Sequence, residues 1–477
     1  MRGFVSWMGA MAGALVVFHA LGCWAAEPGL AAGQVHTYGA PMDERVFDMR
    51  SIGAAHLLAG TAQRIDGDFL FDKAWLTRLD GHGRMLWQKS FIGAWSDAFL
   101  SVQPTSHGAV AAGSTFYFPE RRLDGWVVAF GHDGQPVWQQ AFGGGGRDLF
   151  TSVSNTLDGV VLAGETDSFR EGFRDAWVVR LAGDGSIQWQ KTYGRDDGAT
   201  GIREIRSVPD GFIVVGSTRA LFPLGLSSDG WVAKLDPAGN LQWQMVLGNE
   251  ADGESLGAVV PSEDGYLLIG GRSSAADFNE DGWAVMLDLA GNVLWQKTIG
   301  SEKRESFAAA ASSGDGYVLA GRMEFDGWLV KLDGEGNLLW QRTYGGERTD
   351  TFSSVLATSG GLLAAGDTET FGVAESDIRH GFNVWLLSLD SQGDMAGCSL
   401  GMPGDASASS LEDVPGHFSP IVQDIDAAPL ETRAVGMDTG ASMTTECAGA
   451  GFKSLLLPPA WQKWKELLKR PGFPFRY

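Results

Sequence analysis

Seven positions, spaced by roughly fifty residues, each stand two places before an apolar residue: Glu44, Asp97, Asp148, Thr200, Glu254, Glu305 and Asp350. Six are acidic, and Thr200 takes the place in the fourth. Carboxylates gathered in this way could hold a cation or a cationic partner. They could also work as acid and base on a polysaccharide or small molecule, with Asp148 and Glu305 as examples, provided their separation suits glycoside chemistry. The competing reading is local turn bonding and ion pairing with neighbours such as Arg147, Arg304 and Arg348, since structural ion-pair networks also cluster charge. The sequence leaves both open.

Other chemistry is sparse. Eight His are scattered without an HExxH or a His–Cys ligand spacing. There is no G-x-S-x-G serine elbow and no phosphate-binding P-loop. Gly143–Gly146 is a glycine run between units, hence a turn. Asp66-Gly67-Asp68 with Asp72 is a candidate calcium ligand set, although it lacks the EF-hand pattern. No cofactor is expected, and a binding protein is expected ahead of an enzyme or a purely structural surface protein.

Stepping outward to the supporting elements, a tryptophan marks each unit: Trp75, Trp126, Trp177, Trp231, Trp283, Trp328 and Trp385. In six units a second follows twelve residues later: Trp87, Trp138, Trp189, Trp243, Trp295 and Trp340. Between them lies Leu-Asp-x-x-Gly or a variant, as in Leu332–Gly336. Asp starts such a turn through its side chain and Gly supplies the positive φ. Flanking runs such as Trp177-Val178-Val179-Arg180-Leu181 alternate with strand period. Two further strands precede each pair, the second closed by a Gly such as Gly164, Gly321 or Gly366. Four short antiparallel strands per unit make one propeller blade. Seven units predict an all-β, seven-bladed β-propeller over 34–394. The seventh unit has Gly397 where its outer Trp would fall, and Thr37-Tyr38-Gly39 matches Thr343-Tyr344-Gly345. The N-terminal segment Gln34–Gly39 is therefore expected to complete blade seven, leaving no open edge.

The unit Asp326–Gly346, DGWLVKLDGEGNLLWQRTYGG, resembles the repeats of secreted bacterial β-propellers of DGWxxKLDxxGNLxWQKTYGG type. It is more distantly similar to pyrroloquinoline-quinone-type (PQQ-type) propeller repeats, whose tryptophan-docking motif also sets Asp, Gly and Trp around a strand turn. The resemblance covers about Gln34–Asp394. It implies the fold and says little of activity, because such propellers serve many functions. A quinone dehydrogenase of that superfamily would have eight blades and adjacent cysteines, and this chain has neither.

In a closed ring the acidic positions are expected around one mouth of the central channel. The loops joining second and third strands emerge on that face and vary in length. Binding belongs on such loops, and they carry Phe69, Phe71, Phe116, Tyr117, Phe118, Arg121, Arg122, Phe169, Arg170, Phe173, Phe222 and Phe371. These aromatics and arginines suit a recognition surface or a plug for the channel mouth. The two sets of tryptophans are expected to be packing residues.

A net charge of −22 argues against nucleic acid as partner. Residues 1–26 read as a signal peptide, with Arg2 before an apolar run and small residues after it. The segment around Cys23 fits either a peptidase site or a bacterial lipobox, so Cys23 is a candidate lipidation site. The protein is expected to be exported: periplasmic, attached to the outer membrane, or extracellular. Cys398 and Cys447 then form an even pair in an oxidising compartment, and a disulfide is the simplest reading. Residues 395–451, rich in Ser, Ala, Asp, Gly and Pro, read as irregular. Residues 452–477 form a basic tail with six Lys and Arg against Glu466, and a short amphipathic helix is expected over Pro459–Arg470. That helix is a candidate membrane or partner contact, with docking on the acidic propeller as the alternative. A monomer is expected, with an unidentified protein or glycan as its partner.

Overall fold

The computed structural model describes residues 34–39, 43–66, 69–117, 122–220, 228–248, 252–274, 279–314, 316–371 and 381–395, and five short strands between 401 and 445. Cys23, Cys398, Cys447, the leader 1–26 and the expected C-terminal helix lie outside the described residues. Every regular element among the described residues is a strand. None is a helix long and apolar enough to cross a membrane.

Seven antiparallel sheets follow one another in sequence, six with four consecutive strands running from the axis outward and the seventh with three. They form a seven-bladed propeller. Blade three is Asp148–Asn155, Gly159–Thr166, Asp175–Ala182 and Ile187–Gly194. Blade four is Gly198–Val208, Gly211–Ala220, Asp229–Leu235 and Leu241–Leu247. Blade seven takes its outer strand from the N-terminus: Gln34–Gly39 pairs antiparallel with Asn383–Leu389, Thr37 opposite Trp385. The ring closes where the repeat arithmetic places the closure.

The core is a series of seven clusters, each joining neighbouring blades. Val110 and Val127 of blade two pack with Phe150 and Trp177 of blade three. At the seam, Leu363 and Leu386 of blade seven pack with Trp75 of blade one. The first tryptophan of every blade is at most 1% exposed. Trp177 stacks on Phe150 at 4.7 Å and Trp385 on Phe352 at 4.9 Å. Burying each such ring contributes about 2–3 kcal/mol.

The second tryptophans act between blades. Trp87, Trp138, Trp189 and Trp295 each donate through Nε1 to a carbonyl in the turn of the next blade, at 3.2–3.3 Å. The turn glycine lies under the ring: a Cβ on Gly336, whose φ is +79°, would meet Trp295 at 2.9 Å. The turn aspartates close these corners as read from sequence. Asp333 Oδ1 accepts from the amides of Glu335 and Asn337 at 2.9 and 2.8 Å. A tyrosine repeats the interblade hook: Tyr193 and Tyr344 donate to Gly239 and Gly393 at 2.6 Å, and Tyr38 donates to Gly83 at 2.5 Å across the seam. Closure thus uses the same hydrogen bond as the interior of the ring.

Within 395–451, which composition reads as irregular, the described residues between 401 and 445 are five short strands. Gly401–Pro403, Ser407–Ser410, Ile421–Asp424, Val435–Asp438 and Ser442–Thr445 each add an antiparallel fifth strand. They lie on the outer edges of blades six, five, three, one and seven in turn. The chain therefore travels back around the perimeter as a belt, against the order of the blades. A strand added to a ready edge draws on backbone hydrogen bonds, so it needs no alternating pattern of its own. That is why composition does not reveal it.

Candidate functional site on the variable-loop face

All six acidic positions are at most 2% exposed. Asp148 accepts hydrogen bonds from the Thr166 hydroxyl, from Ser168 Oγ at 2.6 Å and from the Gly144 amide at 2.9 Å. Asp350 does the same with Thr368, with Thr370 Oγ1 at 2.7 Å and with the Gly346 amide at 3.0 Å. Asp97 accepts from Thr115 Oγ1 at 2.6 Å and the Gly93 amide at 2.8 Å. Ser301 Oγ donates to Glu305 at 2.5 Å, and Arg272 pairs with Glu254 at 3.3 Å. Glu44 is buried where its strand begins. These side chains tie the start of each innermost strand to the end of the second strand and to the interblade turn. Burial raises the Asp97, Asp148 and Asp350 carboxyls above their ordinary range, and these hydrogen bonds pull them back. A carboxylate so enclosed has little oxygen surface to offer a sugar, a water or a metal. The geometry supports local bonding. No group of metal-ligating side chains occurs among the described residues.

The Asp of Asp-Gly-Trp sits beside the acid of the following blade. A Cβ on Gly143 would meet both Asp148 and Asp124, and one on Gly345 would meet both Asp326 and Asp350. Burial pushes Asp124 up to about 6, with Arg122 opposing the rise and Asp148 adding to it. These glycines leave room for two acids at each seam.

Two of the loop arginines are clamps. Arg122 Nε binds Asp124 at 2.9 Å, and its guanidinium lies 4.9 Å from the Tyr117 ring. Arg170 binds Asp175 through Nε at 3.0 Å and the Arg195 carbonyl through Nη1 at 2.6 Å, and covers Phe173 at 4.4 Å. Phe169 packs on Trp177 at 5.8 Å, and Phe371 on Trp385 at 6.1 Å. Phe71 meets Trp95 edge-on at 4.6 Å. Phe116 extends its strand opposite Leu123. Phe118, Arg121 and Phe222 lie outside the described residues, as does Asp68 of the calcium candidate.

The loop face opens where the acidic pattern lapses. The hydroxyl of Thr200 in blade four meets another hydroxyl, Thr218 Oγ1, at 3.1 Å, and its amide donates to the Arg174 carbonyl at 2.9 Å. Above it is a cavity of about 260 Å³ lined by Glu165, Arg174, Arg203, Ser217, Arg219 and Ser228 among others. A second cavity of about 480 Å³, lined by Asp167, Gly172, Phe173, Arg174, Ala199 and Arg219, shares its wall, and the Arg147 amide donates to Asp167 Oδ1. Together they form a cleft between blades three and four. Arg174 Nη1 pairs with Glu165 at 3.2 Å. Arg203 and Arg219 are exposed and have no carboxylate partner among the described residues.

Arg203 owes its position to a β-bulge. The innermost strand of blade four shifts register between Ile202 and Glu204. Every other blade bulges at the equivalent place, at Phe47, Leu100, Thr151, Gly257, Ala308 and Ser353. A bulge re-aims a side chain and bends its strand, and here it delivers seven dissimilar residues to the axis. The channel itself holds a cavity of only about 110 Å³. It is braced by Arg50 to Asp48 at 3.3 Å, Arg50 to Glu204 at 3.6 Å and Arg206 to Glu204 at 2.5 Å. Sequence reading named the loops of this face and missed Arg174, Arg203 and Arg219. The available signal was Thr200, the one departure from the acidic positions.

Residues 228–402 match the family described as outer membrane protein assembly factor BamB. The matched model is one of PQQ-type repeats, and its match is confined to 228–402. Among curated proteins none matches the chain. A solved structure described as "Structure of Dos1 propeller" aligns over 76% of this chain and 96% of that one, at 11% identity and a TM-score of 0.44. The repeat accounts for the Asp-Gly-Trp strands and the interblade tryptophans. The cleft is made by residues outside it.

Proposed function

We propose that this PQQ-like propeller is an exported, non-enzymatic binding scaffold that captures a protein partner on its variable-loop face. The observation that carries the reading is the cleft at blades three and four. It lies among the non-repeating loops and holds exposed arginines on a chain whose net charge is −22. The enclosed acidic positions favour binding over acid–base catalysis. The likeness to an outer membrane protein assembly factor supports a protein partner in the cell envelope, in line with the leader read over 1–26. Clamped arginines and packed phenylalanines make the surrounding loops rigid, which lowers the entropy cost of association.

The test is site-specific photo-crosslinking in the native organism. A benzoylphenylalanine at Gly172, on the loop face, is expected to give a discrete crosslinked protein. The same probe at Ala238, in a turn on the opposite face, is expected to give none. Crosslinking from Ala238 alone would place the partner on the wrong face and end this reading. A loop-face crosslink to glycan would replace the protein partner with a carbohydrate.

A further inference from the structure

We propose that the blade-four cleft is a carboxylate-binding site, which takes an aspartate or glutamate side chain presented by a partner protein. This rests on the loop-face reading and specifies its chemistry.

In blades two, three and seven the same position carries an Asp, bonded to a Thr eighteen residues onward: Asp97 to Thr115, Asp148 to Thr166 and Asp350 to Thr368. Blade four keeps that threonine, Thr218, and replaces the acid with Thr200. Blade four therefore keeps the niche of the acid but closes it with a hydroxyl, Thr200 and Thr218 each being 1% exposed, and the open space lies in the cleft beside it. Around it the charge is reversed. Arg174, Arg203 and Arg219 line the opening, and Glu165 is already engaged by Arg174 and by Arg147 at 3.4 Å. Arg203 is exposed because its strand bulges there, and Arg219 because it ends the second strand. Planar guanidinium groups match a carboxylate through paired N–H donors, which an ammonium cannot do.

A peptide acid is favoured over a sugar acid. Sugar recognition would call for a free aromatic face, and Arg170 already covers Phe173 at 4.4 Å. The enclosing groups include the hydroxyls of Thr200, Ser217, Thr218 and Ser228, with one further acid, Asp167, which accepts from the Arg147 amide. Because the rest of the protein is acidic, this cleft also gives a negative segment its favourable approach, and low salt should speed association.

The probe is fluorescein-labelled hexaglutamate, measured by anisotropy on the full-length protein. It is compared with hexaglutamine and with oligogalacturonate. Hexaglutamate is expected to bind and hexaglutamine to fail. Arg203→Gln and Arg219→Gln are each expected to weaken binding about tenfold, the loss of a charge-assisted contact. Both side chains are exposed, so melting temperatures should hold, and an Arg203→Lys variant should recover only part of the affinity. Equal binding of hexaglutamine, or unchanged affinity in both arginine variants, would overturn the proposal. Preference for oligogalacturonate would overturn the assignment to a protein acid. If Gly172 still crosslinks a partner while hexaglutamate binding is insensitive to both arginines, the carboxylate site falls and the loop-face reading stands.

Discussion

Asp367 offers a sharp test of the closure seam. It sits at the end of the second strand of blade seven, 8% exposed, and accepts a hydrogen bond from the Val46 amide of blade one at 2.9 Å. Burial raises its carboxyl from 3.8 to about 7, against the pull of the Val46 bond and Arg45. The sign follows from which state holds the proton. Below the unfolded value the group is protonated in both states and costs nothing. Between that value and about 7 the folded protein keeps a proton that the unfolded chain releases, so stability falls as pH rises. Above about 7 the full penalty remains. The interval corresponds to about 4 kcal/mol at most, less whatever the seam relaxes. Asp367→Asn keeps an oxygen for the Val46 amide and removes the charge. Urea unfolding of both proteins at pH 4 and pH 8 reads the effect. The variant should be more stable than the parent by up to about 4 kcal/mol at pH 8 and nearly equal to it at pH 4. A variant destabilised at pH 8, or a difference that is the same at both pH values, would refute this account of the seam.

Other consequences are open to direct measurement. Tyr38→Phe removes the bond to Gly83 at the seam and should cost about 1 kcal/mol in thermal unfolding, as should Tyr344→Phe within the ring; a much larger loss at Tyr38 would show the closure to be the weaker joint. Arg170→Ala leaves Asp175 buried without its cation and should cost about 3 kcal/mol, whereas Arg219→Gln should cost nearly nothing; equal costs would abolish the distinction between clamp and cleft. The belt begins on blade six at Gly401 and ends on blade seven at Thr445, neighbouring blades, with Cys398 and Cys447 just beyond its two ends. We expect the two cysteines to be joined in exported protein, seen as a disulfide-linked peptide in a non-reducing digest. Reduction should lower stability by about 2–4 kcal/mol, and free thiols in exported material would contradict the pairing.

The fold was legible because each blade repeats its own instructions. Trp, Asp-x-x-Gly and Tyr-Gly recur at fixed offsets; the second tryptophans, the turn glycines and the tyrosines make interblade contacts, and the turn aspartates close their own corners. The acidic positions were legible as positions but not as orientations. Their threonine partners lie at a constant offset in Asp97, Asp148 and Asp350, a regularity visible only once hydroxyl partners are sought. Arg122 and Arg170 have the residue types of a binding surface, yet short reaches to Asp124 and Asp175 turn them into clamps. The arginines of the cleft come from a loop of blade three and two strands of blade four, and only the bulge at Arg203 and the lapse at Thr200 bring them into one opening. The belt escaped notice because edge pairing is a property of the backbone.

The central claim is that recognition sits where blade four departs from its repeat. Thr200→Asp restores the acid found at the equivalent position of other blades, in reach of Thr218 and beside the Arg170 clamp. The decisive measurement is the hexaglutamate affinity of this variant alongside its melting temperature. The account predicts a folded protein, at least as stable as the parent, whose affinity has dropped about tenfold or more as the niche fills with its own carboxylate. A folded variant that binds hexaglutamate as well as the parent would contradict it.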